Sequence, residues 1–346
     1  MNANVSAARR PQRQAWLALV AASTLVNAVP VAAAPPRIEA ELTYAPQVPA
    51  PISRHHPAIV VVPLRTTHRL LSLTTRQQYP FWTFNDHVPG PFIRVRAGDW
   101  LEVQITNTDT TGMPHNVDFH AATGPGGGAP LLTVAPGEHH RAWLRLRDPG
   151  LFVYHCAVPP MIDHIANGMF GLILVEPTNG LPAAQREFYI MQSEVYATNG
   201  PPGTRQLQYS HADAMAEQPQ FVVFNGASGA MLFRDALRAQ TGDRVRLFFG
   251  NAGPDLLSSF HVIGTVLRRV YRNGSLQNPP QRGLQTVLVS PGAATVIEFR
   301  PTVPGSYDFL DHDAAHSEKG AMGQLEVSGP RAADVYRSEQ DGPPTE

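Results

Sequence analysis

Cys156 is the only cysteine in the 346 residues, so no intrachain disulfide can form. It closes an apolar, β-prone run, Leu151-Phe152-Val153-Tyr154-His155, and is followed by His164 and then Met169. One thiolate, two imidazoles and a long, weak thioether are the ligand set of an electron-transfer copper. His115, upstream, supplies the second imidazole. Taken singly, a buried thiol, a packing methionine and a histidine are ordinary interior residues. In this order behind an apolar strand, His115, Cys156, His164 and Met169 read as ligands of one metal ion.

The run His115-Asn116-Val117-Asp118-Phe119-His120 carries a second constellation. Side chains of an extended chain alternate between faces. His115 and His120 therefore point to opposite sides, Asp118 shares the side of His120, and the neighbours His155 and Cys156 point apart. If Cys156 and His115 hold one ion, then His120, His155 and Asp118 turn towards another place. The pattern predicts two sites back to back, joined by one peptide whose Cα atoms lie about 3.8 Å apart. Three imidazoles with an open position make a catalytic geometry. The candidate for the third imidazole is His312 in Leu310-Asp311-His312, with His316 and His261 as rivals. His261 shares a strand face with Ile263, which places a proton donor beside an apolar wall and suits a small-substrate pocket. Gly124 to Gly128 has no lysine and no helix behind it, so it reads as a tight connection, not a phosphate loop.

These residues need a scaffold. With 33 prolines, 28 glycines and short apolar runs, the chain reads as all-β with many turns. Strands are expected at Ile59–Val62, Arg69–Thr75, Phe81–Phe84, Trp100–Ile105, Ala142–Leu146 and Gly171–Val175, with no long helix. Past Pro177–Pro182 the pattern repeats. Phe84-Asn85, Gly98-Asp99, Asn107 and His115 match Phe224-Asn225, Gly242-Asp243, Asn251 and His261, with the same Gly-to-Asn interval in both halves. Two similar β-sandwiches in tandem follow, only the first carrying the Cys-His-Met cluster. The expected organisation is a signal peptide at 1–34, an extended linker at 35–57, domains at 58–177 and 178–329, and a polar tail at 330–346. Arg9, Arg10 and Arg13 precede an apolar stretch, Ala15–Ala28, too short to span a bilayer. Export to a bacterial periplasm without a membrane span is the expectation. A net charge of −1 gives no reason to expect a nucleic-acid partner.

The segments Pro114–Gly124, Val153–Ala157, His164–Met169, Ser259–Gly264 and Asp311-His312, in this order, resemble the copper-containing dissimilatory nitrite reductases. The likeness is nearest to the branch with a short loop between the copper cysteine and histidine. It implies two tandem cupredoxin-like Greek-key β-sandwich domains, a homotrimer, and two coppers per subunit. A type 1 copper would sit on His115, Cys156, His164 and Met169. A type 2 copper would sit on His120 and His155 together with His312 of the partner subunit. The implied reaction is one-electron reduction of nitrite to nitric oxide, fed by a c-type cytochrome or a small cupredoxin. Asp118 and His261 would handle protons, and Ile263 would shape the pocket. Many members carry a tryptophan just before the type 1 histidine, and loop 158–163 has none. Two other classes share the blue site. A two-domain multicopper oxidase needs His-x-His pairs and a His-Cys-His, and Cys156 is followed by Ala157. An electron carrier would leave Asp118, His120, His261 and His312 without a use.

Overall fold

The computed structural model describes Met1 and residues 34–342. The expected signal peptide, apart from its two ends, lies outside the described residues, as do the last four residues of the tail.

Period-two patterning builds two sandwiches. In the first, one sheet contains Arg37–Glu39, Ile59–Ser72, Gln78–Phe84, Trp100–Asn107 and His139–Arg145; the facing sheet runs Ile93–Arg96, Phe170–Glu176, Gly150–His155, Asp118–Phe119. Their inner faces enclose Val60, Val62, Val103, Ile105, Tyr154, Ile173 and Val175. In the second, Phe221–Phe224, Arg186–Val195, Val245–Asn251, Ala293–Phe299 and Arg269–Tyr271 form one sheet. Leu237–Gln240, Met322–Ser328, Gly305–Asp311, Ser258–Val262 and Thr286–Val289 form the other.

A third apolar layer joins the sandwiches. Leu151, Val153, Leu172 and Leu174 of the first pack with Tyr189, Met191, Phe248 and Val296 of the second. The strand Phe170–Glu176 is buried along its whole length because its sheet is covered on both faces. This layering aims the chemistry. Along Gly150–His155, Leu151 and Val153 face the second sandwich, whereas Tyr154 and then Cys156 enter the first core. His155 leaves on the side opposite Cys156 because strand side chains alternate.

The repeat read from the sequence has a hydrogen-bonding basis. The Asn107 amide donates to the carbonyls of Met113 (2.9 Å) and Val134 (3.2 Å), and its Oδ1 accepts from Asp109 N. Asn251 does the same with Leu256, Val289 and Gly253. Asn85 (φ 56°) and Asn225 (φ 50°) both turn the chain in the left-handed region, which asparagine tolerates.

Two expectations differ in detail. Ile59–Ser72 is one strand of 14 residues, not two, because Pro63 falls where only one edge is paired and no ladder donor is lost. The stretch 35–57 is a docked strap more than a linker: Arg37–Glu39 adds a parallel strand beside Ile59–Val61, and Arg37 makes two 3.0 Å bonds to buried Glu102. Short helices occur at Met161–Ala166, His211–Met215 and Ala314–Glu318, the first of which carries His164. Among the described residues no helix is long and apolar enough to cross a membrane.

Candidate metal centres

Three elements meet at the first cluster. His115 enters from the one-residue bridge His115↔Val134, Cys156 follows the end of its strand, and His164 sits on the short helix. Cys156 Sγ and His164 Nδ1 lie 3.3 Å apart, as do His115 Nδ1 and His164 Nδ1. All three residues are buried. Met169 is fully buried in the same core; its N–H donates to His164 O and its carbonyl accepts from Cys156 N.

The surroundings hold these side chains in place, and sequence reasoning missed most of them. His115 Nε2–H donates to Asp109 Oδ2 at 3.3 Å, which leaves Nδ1 as the free lone pair. Burial acts to raise the Asp109 carboxyl, but hydrogen bonds from Thr111 and His115 hold it below its ordinary value. Asn116 N–H points at Cys156 Sγ (3.4 Å), and Asn116 Oδ1 accepts from Ala157 N (2.7 Å). The Trp82 ring lies 4.8 Å from that of His164, so a tryptophan from a distant strand supplies the aromatic wall absent from loop 158–163. No periodicity marks Asp109 or Trp82; their partners lie on other elements.

The second cluster sits across the Cys156–His155 peptide. His120 Nε2 and His155 Nε2 are 3.1 Å apart, with an Asp118 oxygen within 4.8 Å of the group. His155 Nδ1–H donates to the Cys156 carbonyl (3.0 Å), which commits Nε2 to the cluster. The ladder pair Asp118↔His155 puts both side chains on one face. Gly127 backs Asp118: a Cβ there would lie 1.9 Å from Asp118 Oδ1. The loop 124–128 is thus the floor under the carboxylate, beyond the connecting role expected of it.

His261, Ile263 and His312 lie together on the second sandwich. The His261 and His312 rings meet edge to face at 5.3 Å, and His261 Nδ1–H donates to Gln285 O (2.7 Å), leaving Nε2 free. Ile263 is 47% exposed and His312 is exposed. His316 is tied to Asp311 Oδ2 at 2.7 Å and partly buried, so of the two rivals His312 is the free imidazole. Within one chain, the groups able to hold a metal do not include His312 among the described residues.

The donor sets fit copper. Burial pushes the Cys156 thiol up to about 11 and, together with neighbouring His115, pulls His164 down to about 4. Burial and nearby His155 also lower His120. The protein alone thus favours neutral ligands around both places, and a bound cation offsets the cost of a buried thiolate. Sulfur with two imidazoles selects a copper of the electron-transfer kind, and imidazoles with an open side suit a catalytic copper.

Known proteins similar to this chain are numerous. Family models described as multicopper oxidase match residues 66–180 and 200–330. A copper-containing nitrite reductase of Neisseria meningitidis serogroup B is 46% identical over 303 residues, 87% of this chain and 77% of that protein. One from Alcaligenes xylosoxydans xylosoxydans is 36% identical over 74% of this chain and 82% of its own length. The solved copper nitrite reductase from Nitrosomonas europaea superposes with a TM-score of 0.71 at 33% identity, covering 81% of this chain and 98% of that one.

Proposed function

The chain belongs to the copper-containing nitrite reductases, and from that membership we propose how its residues carry the reduction of nitrite to nitric oxide. Copper is its cofactor, two ions per subunit. His115, Cys156, His164 and Met169 hold the type 1 ion. His120, His155 and His312 of the partner subunit hold the type 2 ion. Bound copper supplies the one-electron chemistry at the first site and a Lewis-acidic seat for nitrite at the second.

The chain's own residues do the rest. The observation that carries the reading is that His155 and Cys156, consecutive residues at the end of one strand, end in two different clusters. Their peptide links the clusters covalently, and the His155 Nδ1–H···O bond to Cys156 (3.0 Å) adds a second path. Reduction of nitrite to nitric oxide and water consumes one electron and two protons. Asp118 hydrogen-bonds the substrate oxygen and delivers one proton; His261, through its free Nε2, relays the other. Ile263 walls the pocket and limits what enters.

The assembly is a homotrimer. Supporting this, His312 does not reach His120 and His155 in its own chain, and Leu257, Ile263, Val266 and Leu288, on or flanking strands of the same sheet, are exposed. A c-type cytochrome or small cupredoxin donates the electron, and the basic-then-apolar N-terminus directs the chain to the periplasm. The test is anaerobic nitric oxide release with a reduced artificial donor and copper counted. Two coppers per chain and nitrite-dependent nitric oxide are expected; one copper and no nitric oxide would leave only an electron carrier. Asp118→Asn should lower turnover by roughly 10²-fold or more.

A further inference from the structure

A chain of buried ion pairs runs from the first sandwich through the second. Glu176 pairs with Arg94 (2.6 Å), Arg94 with Glu187 (2.7 Å), Glu187 with Arg246 (2.6 Å), Arg246 with Glu298 (2.5 Å), and Glu298 with Arg269 (3.3 Å). Three carboxylates alternate with three guanidiniums, so the chain is neutral and its acids are used up. It ends at a hollow of about 250 Å³ lined by five arginines, Arg244, Arg268, Arg269, Arg282 and Arg300, against the single acid Glu298.

The four arginines beyond Arg269 have no carboxylate. Arg244 Nη1 donates to Ala183 O (2.9 Å) and Arg300 Nη1 to Gly242 O (2.6 Å), both neutral acceptors. Among the described residues the guanidiniums of Arg268 and Arg282 have no hydrogen-bond or ion-pair partner. Asp243, next to Arg244, is taken by Arg186 at 3.2 Å. Arg268, Arg282 and Arg300 are exposed and solvated as they stand, but in a chain whose net charge is −1 this concentration of one sign makes a local field that draws anions.

The hollow is also remote from the His120–His155 cluster of its own chain. The strand Ala293–Phe299 has Gly292, against His120, before one end and Arg300 after the other. At ~3.4 Å per residue the two ends are more than about 20 Å apart. We infer that this arginine-lined hollow is a second anion site, built for a polyvalent phosphate-type oxyanion. Guanidinium forks match the paired oxygens of such ions. The volume is several times the ~30 Å³ share of one water, room for more than a chloride or a single nitrite.

The probe is sodium pyrophosphate, titrated calorimetrically into the copper-loaded protein at fixed ionic strength, with nitrite as competitor. One equivalent per chain is expected, undisplaced by nitrite. The double variant Arg268→Ala/Arg282→Ala should bind roughly tenfold more weakly or worse, with nitrite turnover unchanged. Arg268→Lys/Arg282→Lys keeps the charge but loses the fork and should fall between. Phosphatidylcholine vesicles doped with phosphatidate separate the two sources of this chemistry. Sedimentation with them that the alanine variant loses makes a lipid headgroup the ligand; pyrophosphate binding alone makes it a soluble ion. Binding of neither probe, or equal binding by the alanine variant, overturns the inference. So does an alanine variant whose assembly falls apart by size-exclusion chromatography, because the arginines would then serve a subunit contact.

Discussion

Replacing Gly127 by alanine should disable the catalytic cluster without touching the first copper. Gly127 has φ +51°, so alanine there pays about 1 kcal/mol for a left-handed backbone. The larger effect is steric. The new Cβ would lie 1.9 Å from Asp118 Oδ1, 2.7 Å from Phe119 O and 2.9 Å from Phe119 N, whereas ordinary contact begins near 3.4 Å. The Phe119 atoms are backbone in the strand that carries Asp118, so the carboxylate gives way first, from 1.9 towards 3.4 Å. A displacement on the order of 1 Å of a catalytic group costs roughly 10²-fold in rate, about 2.7 kcal/mol in the barrier. Gly137→Ala is the control: φ is +83° and nothing lies within 4 Å of its Cβ, so it pays the backbone cost alone. The assay is steady-state nitric oxide production under anaerobic conditions, with the visible thiolate–copper band recorded on the same samples. Gly127→Ala should lose turnover to the level of Asp118→Asn and keep the band; Gly137→Ala should lose a few degrees of Tm and keep turnover. Turnover of Gly127→Ala within twofold of the parent would refute the view that this loop holds the carboxylate in place.

Other outcomes follow from the same geometry. Asp109→Asn removes the buried carboxylate behind His115 and weakens that imidazole as a ligand of the oxidised ion; a tenfold loss corresponds to a rise on the order of 60 mV in the type 1 potential, read by redox titration of the visible band. His312→Ala should halve the copper content and abolish nitric oxide release while the thiolate band persists, as metal analysis and spectroscopy together would show. Glu194 has its carboxyl raised to about 7 by burial, although Tyr196 and the amides of Leu256 and Asp255 favour its charged form. Since the folded value exceeds the ordinary one, stability linked to this group is full below about pH 4.5 and is lost as pH rises through about 7, by up to about 3 kcal/mol. Glu194→Gln, which mimics the neutral acid, should flatten Tm between pH 5 and 8; an unchanged slope would sink that assignment.

Much of the site is written in local order. The spacing of His115, Asp118 and His120, and the adjacency of His155 and Cys156, dictate opposite faces because an extended backbone alternates its side chains regardless of what surrounds it. The Gly-Asp and Asn repeats are local in the same sense: each is a turn or loop whose hydrogen bonds close within a few residues or onto a neighbouring strand. Tertiary structure alone decided what lies behind the ligands. Asp109, Trp82 and Gly127 gain their roles from contacts across elements, and nothing in their own segments signals them. The helix that carries His164 is only six residues long, below the length at which apolar periodicity can be read. The difference between His312 and His316 also needed packing to appear, since both follow the same strand and only His316 is bonded to Asp311. Sequence spacing determines which way a side chain leaves the backbone; only the folded chain determines what it meets there.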